Sequence, residues 1–436
     1  MLLTLLARPV TGHAAKMQLL REVPMPVPGS LPDFFPSSIA TDGQIVWGVW
    51  RKYLATQFYF TSFDARTGER IAESTFPGTP TSGLLLRAGT TFMATVNLTG
   101  ESQDNTAQIF ERDSSGTITR TQVLSRPESQ GVFGRALGDN LAVLGGSILN
   151  GAGVPIGVAY LFGRTQPGAA FEFLQQLPTP DGSVAFGASA AISGDRLVIG
   201  DWNMSFPEIP GDYSSPQAHI GAAWVFARNP TNGLFEETQR LTISDGKDRD
   251  CFGIAVAIVG DLIVASAPQQ GTDSSGAVYT FRKAANGNQF TQNQKITDTS
   301  APFDFAGFGE SLAVTADAML IGAPTSNHTP NVTSPGAAFL YHLDAATSLY
   351  QLDQIITGPS THTARFGHSV ALFGGAAAVG APYDQTPVGG SLNIFGFPSS
   401  VPASTVASIA ALAALLATIG AVTRRRERAP RSPAST

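Results

Sequence analysis

Cysteine is almost absent from this 436-residue chain. Cys251 is the only one, which excludes an internal disulfide framework and a cysteine-based metal cluster. It stands directly before Phe252 in an apolar setting, where a buried structural thiol is the expected reading. Charge is also scarce: 14% of residues are charged, and the formal net charge is −6. Without residues 424–436 the balance is 22 basic against 32 acidic residues, which argues against a nucleic-acid partner. The six histidines, His13, His219, His328, His342, His362 and His368, form no HExxH or HxH pair for zinc. No Gly-x-Ser-x-Gly elbow nominates a nucleophile, and no glycine loop stands between a strand and a helix to cradle phosphate. No catalytic residue and no cofactor is therefore assigned, and the chain is expected not to be an enzyme. His368 follows a Phe-Gly pair close to the centre of the expected fold, where a lone histidine reads as structural or as facing a channel.

What the chain has in quantity is glycine (46), proline (29) and apolar residues (43%), the mixture of a turn-rich all-β protein with a core to fill. One stretch shows how these are used. Phe186-Gly187 opens a run of small and apolar residues up to Gly194-Asp195. Leu197 to Gly200 follows, then a polar loop, then Gly221 to Phe226. The two runs flanking Gly194-Asp195 read as a tight hairpin and the last as a third strand. The same unit starts at Phe133-Gly134, Phe252-Gly253, Phe308-Gly309 and Phe366-Gly367. In three copies the second strand ends in Ala-Pro: Ala267-Pro268, Gly322-Ala323-Pro324 and Gly380-Ala381-Pro382.

Phe-Gly followed at this distance by Gly-Ala-Pro resembles the FG-GAP repeat, the blade unit of the integrin alpha-subunit β-propeller and of many bacterial surface proteins. The resemblance gives Phe133, Gly134, Phe186, Gly187, Phe252, Gly253, Phe308, Gly309, Phe366 and Gly367 a structural role in the repeat, and it implies binding rather than catalysis. Integrin-type blades often hold calcium in the first hairpin, which takes six to eight oxygen ligands. The turns here, around Asp195, Asp261, Asp317 and Gly375, offer one carboxylate or none, so calcium is not supported there. Asp245, Asp248 and Asp250 cluster before Phe252 but alternate with Lys247 and Arg249, as in a solvated loop.

Polar segments with alternating apolar residues precede the Phe-Gly units and read as outer strands, for example Phe171–Leu177, Phe235–Leu241 and Phe290–Ile296. Each blade then has four strands. Two degraded units lie between residues 24 and 132, with candidate strands at 58–60, 70–76, 84–87, 92–96, 107–110 and 118–124. Seven inner units and seven outer strands result if Lys16–Val23 is paired onto the last unit. The expectation is a seven-bladed β-propeller over residues 16–397, its ring closed by this N-terminal outer strand. Ring closure removes the exposed ends of an open array. The longer connections then share one face, and Trp202, Phe206 and Tyr213 in the longest of them are candidate ligand contacts, or else pack that loop onto its blade.

The chain ends differently. After a linker at 398–405, residues 406–422 carry no charge, and Arg424, Arg425 and Arg426 follow. Seventeen residues at 1.5 Å each reach roughly 26 Å, enough for one transmembrane helix over 406–423 with a basic cytoplasmic tail at 424–436. Val-Pro, an apolar span and an arginine cluster also resemble the bacterial PEP-CTERM sorting signal, although Ala403 replaces its Glu and Ala429–Thr436 runs past the arginines. Residues 1–15 read as a truncated signal peptide or an unprocessed start. The expected protein is a cell-surface adhesion module, membrane-attached, with an extracellular protein or polysaccharide as ligand. A structural envelope component and a propeller lyase or hydrolase are the alternatives. The sequons at Asn97, Asn203, Asn327 and Asn331 bear on glycosylation only where the source carries it out.

Overall fold

The computed structural model describes residues 16–24, 38–51, 57–97, 105–114, 116–126, 129, 132–181, 183–203, 220–247, 249–271, 275–284, 287–298, 307–327, 335–358, 364–373, 376–382 and 390–396. The expected apolar span at 406–423, the arginines at 424–426, the signal-like segment at 1–15, Phe206 and Tyr213 lie outside them. Leu19–Gly396 forms one compact unit, and the other unit, from the two chain ends, is almost wholly outside the described residues.

That unit is all β: seven antiparallel sheets of four strands each, a seven-bladed propeller. In chain order from the innermost strand outwards, blade 1 is Ser38–Thr41, Ile45–Arg51, Gln57–Asp64 and Arg70–Pro77. Blade 2 is Thr79–Ala88, Thr91–Asn97, Asn105–Arg112 and Ile118–Leu124. Blade 3 is Val132–Leu137, Leu141–Leu149, Pro155–Gly163 and Glu172–Gln176. Blade 4 is Ser189–Ser193, Arg196–Asp201, Ala222–Arg228 and Phe235–Leu241. Blade 5 is Val256–Val259, Leu262–Ala267, Ala277–Lys283 and Phe290–Ile296, and blade 6 is Ser311–Val314, Ala318–Ala323, Ala337–Asp344 and Leu349–Thr357. Blade 7 is Ser369–Phe373, Ala376–Ala381 and Ser391–Gly396, with Gln18–Pro24 as its outer strand. The closing strand is thus the N-terminal one, starting at Gln18 rather than Lys16. Each innermost strand lies against those of the two neighbouring blades, and Ser369–Phe373 lies against Ser38–Thr41, so the ring is complete.

The alternation of the strands follows from this stacking. Second and third strands are sandwiched between two blades and are buried on both faces, as in Leu262–Ala267 and Ala318–Ala323. Outer strands are covered only at their ends, as in Phe235–Leu241 and Phe290–Ile296. The core is a series of inter-blade clusters rather than one centre; Val198, Val225 and Ile258, for example, meet between blades 4 and 5.

The Phe-Gly pairs hold these interfaces. Phe186, Phe252, Phe308 and Phe366 are at most 1% exposed and sit against aromatic partners on their own third strands, such as Phe339 at 5.1 Å, edge-on to Phe308. Each following glycine has positive φ, 86° to 96°, a conformation costly for any residue with a Cβ. The glycine that ends the second strand meets the next blade's backbone directly: a Cβ on Gly322 would stand 2.0 Å from the Gly367 carbonyl oxygen. Phe133 departs from its expected role. It lies within its innermost strand, opposite Gly145, and is only half-buried, with the Arg135 guanidinium 5.0 Å from its ring. Blade 3 has a register shift between Gly134 and Ala136, and that shift leaves Phe133 outside the interface that the other four phenylalanines fill.

Candidate functional site

The strand boundaries give the two faces of the ring different characters. Innermost-to-second and third-to-outer turns share one face and include Gly194-Asp195, Gly260-Asp261 and residues 229–234. Second-to-third connections and the passages between blades share the other, and every connection longer than eight residues lies there. The longest runs from Asp201 to Ala222 in blade 4.

The base of that connection is firmly built. Asp201 ends the second strand and is wholly buried. Its carboxylate accepts the Ala185 N–H at 3.2 Å and lies against Ser183 in the passage entering the blade, while Oδ2 has no aligned partner among the described residues. Burial pushes its pKa up to about 6, against the hydrogen bonds from Ser183, Ala185 and Asn203. At the far end, Phe252 N–H donates to Ile220 C=O at 2.7 Å, and Gly221 bridges Phe252 in parallel. One stem of the connection is therefore fixed to its own blade and the other to blade 5. Trp202, the first candidate contact, follows Asp201 directly and is half-buried. Its companions Phe206 and Tyr213 lie outside the described residues.

In the acidic segment beside it Asp245, Lys247 and Arg249 are exposed, as expected of a solvated loop, but Asp250 is not. Asp250 is 2% exposed and accepts the Lys247 N–H at 2.7 Å. Asp245 accepts from the Tyr279 hydroxyl at 2.9 Å and from Lys295. Burial pushes the Asp245 carboxyl upwards, yet the Lys295 and Tyr279 hydrogen bonds hold it below its ordinary value. Burial raises Asp250, with nearby Asp245 adding to the effect, and burial followed by Asp245 raises Tyr279. Arg249 and Cys251 flank Asp250 with φ of 67° and 56°, so the segment enters Phe252 through left-handed backbone at two non-glycine residues. Cys251 is buried, as its setting implied. Among the described residues no three His, Cys, Asp or Glu side chains converge as a metal site.

The innermost strands carry small apolar residues such as Ala190, Ala191 and Ala257, which pack against the inter-blade clusters on either side. Polar exceptions follow the Phe-Gly pairs. His368 Nδ1 lies 3.3 Å from Glu310 Oε1 on the neighbouring blade, but not in hydrogen-bonding alignment. Both are about one-third exposed, so the histidine is not alone. Arg135 occupies the equivalent place in blade 3, its Nε enclosed without a partner, and burial pushes its pKa down to about 10. His342 pairs with Asp353 at 3.4 Å, while His219, His328 and His362 lie outside the described residues.

Two features escaped the reading of the sequence. Asp201 had a signal: Gly200-Asp201-Trp202 stands where other copies have Gly-Ala-Pro. The second is a glutamine on the outer strands. Gln175 donates from Nε2 to Phe235 C=O (2.9 Å) and accepts Phe235 N–H at Oε1 (2.7 Å), which clasps blade 3 to blade 4. Gln122 does the same to Phe171, Gln239 to Phe290 and Gln294 to Tyr350. Its signal is a glutamine four residues after each strand's leading apolar residue.

Residues 235–281 match the FG-GAP repeat family. They run from the outer strand of blade 4 through the third strand of blade 5, one repeat of the ring. No curated protein sequence matches the chain. Among solved structures, the chain is similar to a protein from Bacteroides uniformis assigned as a 6-phosphogluconolactonase. The identity is 14%, 74% of this chain and 85% of that one are covered, and the TM-score is 0.46. A likeness at that level bears on no function. The FG-GAP match and the seven four-stranded blades together make this chain a β-propeller with an FG-GAP repeat, a fold consistent with a binding module.

Proposed function

We propose that this protein is an exported, membrane-anchored β-propeller that binds an extracellular protein or polysaccharide through its long-connection face and catalyses no reaction. The observation that carries this reading is the asymmetry of the ring: every connection longer than eight residues leaves from one face, on stems fastened to their own or the next blade. Variable loops on a rigid scaffold are where recognition concentrates. The uncharged span at 406–422 with Arg424, Arg425 and Arg426 behind it is the anchor in this reading, which puts the propeller outside and the arginines in the cytoplasm.

The test uses purified, fluorescently labelled protein, cells of the source organism and their isolated extracellular polymer, each with and without EDTA. Saturable binding that weakens at least fivefold in Trp202→Ala supports the reading. Absence of binding to either material moves the assignment to a structural envelope component. EDTA sensitivity reveals a metal site outside the described residues. Removal of residues 401–436 is expected to release the protein from the membrane fraction, and continued retention refutes the anchor.

The Glu310–His368 pair favours a second reading, a lyase or hydrolase acting at the channel mouth. A polysaccharide cleavage screen in which Glu310→Gln and His368→Ala both abolish turnover would establish it.

A further inference from the structure

Two kinds of β-bulge occur in this ring. In six blades the pairing of third and outer strands shifts at the same place, so that bulge belongs to the regular blade. Innermost and second strands, by contrast, pair without a shift in blades 1, 4, 5, 6 and 7. In blade 3 Gly134 stands opposite Leu144 and Ala136 opposite Val143, which leaves Arg135 as a single extra residue. A bulge of this size re-aims the side chain it carries.

The bulge is fixed on two sides. Gly134 N–H leaves its own sheet and donates to Thr95 Oγ1 of blade 2 at 2.9 Å. In blades 4 to 7 the glycine of the Phe-Gly pair donates to its own second strand, as Gly187 does to Gly200 C=O. The Arg135 stem lies over Gly145, where a Cβ would stand 3.1 Å from its Cγ. At the corresponding Gly200 and Gly322 the neighbour is a serine hydroxyl, Ser189 or Ser311, spent on the next blade's carbonyl at 2.7 and 2.8 Å. Blade 3 thus carries a guanidinium on a long stem where two other blades carry a short hydroxyl.

Other arginines lie against carboxylates: Arg87 on Asp42, Arg164 on Glu111 and Arg196 on Asp261. Among the described residues Arg135 has no carboxylate partner and no hydrogen bond, and its contact is the Phe133 ring, 5.0 Å away. Nε is enclosed without an acceptor, and burial lowers the pKa with no nearby carboxylate to offset it. A cation held in this way costs stability until an anion reaches it. Arg135 and Phe133 are both partly exposed, and of the three guanidinium nitrogens only Nε is enclosed without a partner, so the terminal pair is the accessible end.

We infer that Arg135 receives the carboxylate of a uronate residue in an acidic polysaccharide, with the Phe133 ring under the adjoining sugar. The two terminal nitrogens form the planar fork that donates to both oxygens of one carboxylate. The C–H face of the pyranose covers the exposed part of the Phe133 ring, an apolar contact that a short peptide carboxylate does not supply. The chain is acidic overall, so an anion is held here by one local group and not drawn by the field of the whole surface. Both residues lie on Val132–Leu137, which enters its blade from the long-connection face. The inference therefore rests on the binding reading above and specifies its polysaccharide.

The test is isothermal titration of the full-length protein with trigalacturonate, neutral galactotriose, a sulfated galactotriose and the peptide Gly-Glu-Gly. Trigalacturonate is expected to bind about tenfold more tightly than the other three. Arg135→Met is expected to abolish that preference, and Arg135→Lys, a point charge without the fork, to keep only part of it. Melting separates this role from a structural one. Loss of an unpaired cation should leave the midpoint of Arg135→Met unchanged or about 1–2 °C higher. A fall of several degrees, or failure to fold, shows that the guanidinium holds the blade and overturns the inference. Equal binding of the neutral trimer, the sulfated trimer or the peptide overturns the assignment to a uronate. Saturable binding to the isolated extracellular polymer that survives in Arg135→Met refutes this inference alone, whereas no binding to that polymer removes the binding reading with it.

Discussion

Replacing Gly322 by alanine isolates what fixes the spacing between blades. Gly322 has an ordinary backbone conformation, so in open space the exchange would stabilise by about 0.4–1 kcal/mol through the unfolded chain. It is not in open space. The new Cβ would lie 2.0 Å from Gly367 C=O and 2.2 Å from Ser311 Oγ, where real contacts essentially never fall below 3.0 Å. The hydroxyl can rotate away, but only by giving up its 2.8 Å bond to the same carbonyl. The carbonyl belongs to the left-handed Gly367, which in turn donates to Gly380 C=O at 3.1 Å, so blade 7 must retreat as a body. Overpacking of this kind costs about 1–3 kcal/mol and the lost hydrogen bond about 1 kcal/mol more, giving an expected loss of roughly 2–4 kcal/mol. Urea unfolding measures it as a fall in midpoint at constant slope. Gly151→Ala, with nothing within 4 Å of its Cβ, is the control and should be neutral or slightly stabilising. Adding Ser311→Ala to Gly322→Ala should rescue nothing, because the carbonyl clash remains. If Gly322→Ala unfolds together with Gly151→Ala, the argument that backbone contact sets the spacing is refuted.

Three further outcomes are expected. Gln239→Ala removes both bonds to Phe290, each 2.7 Å, and should lower stability by roughly 1–3 kcal/mol, whereas a loss below 0.5 kcal/mol would make the clasp ornamental. Asp201 keeps its proton to about pH 6 when folded and loses it near 4 when unfolded, so the unfolded chain binds fewer protons in that window and stability falls as pH rises through it. Asp201→Asn, which still accepts the Ala185 N–H, should flatten this slope and be the more stable protein at pH 7, by about 2–3 kcal/mol at most; a slope unchanged by the substitution assigns it elsewhere. Deleting residues 1–24 removes the outer strand of blade 7 and should sharply lower the thermal midpoint, and an unchanged melt would refute closure by that strand.

The fold was legible because its punctuation is local. Phe-Gly packs where one blade's backbone rests on the next in four of the seven blades, so it recurs along the chain as a local signal. Even the degraded second blade kept enough alternation for its outer strand to be read as 118–124, the range observed. Its innermost strand is longer than expected, Thr79–Ala88 rather than 84–87, because Pro80 and the residues after it extend the pairing through an irregular register. What was not legible depends on neighbours far away in the chain. Gln175 and Phe235 are 60 residues apart, and nothing in a polar outer strand says which of its side chains reaches across. Asp250 looked solvated because its neighbours Lys247 and Arg249 are charged, yet its side chain is 2% exposed and accepts the Lys247 N–H. Trp202 is placed at the base of its connection, but the ligand contacts proposed for Phe206 and Tyr213 rest on sequence alone.

The recurrent bulge has a consequence for how these molecules behave when crowded. A seven-bladed ring presents seven outward-facing strands to solvent, each an invitation to pair with the strand of another molecule. Here the extra residue in the outer strand (Leu174, Thr238 and Asn293 among them) twists the edge and breaks its hydrogen-bonding rhythm. At the start of four outer strands the first free N–H and C=O are already taken by a glutamine from the blade before. The clasps that hold the ring together thus also blunt its edges against aggregation.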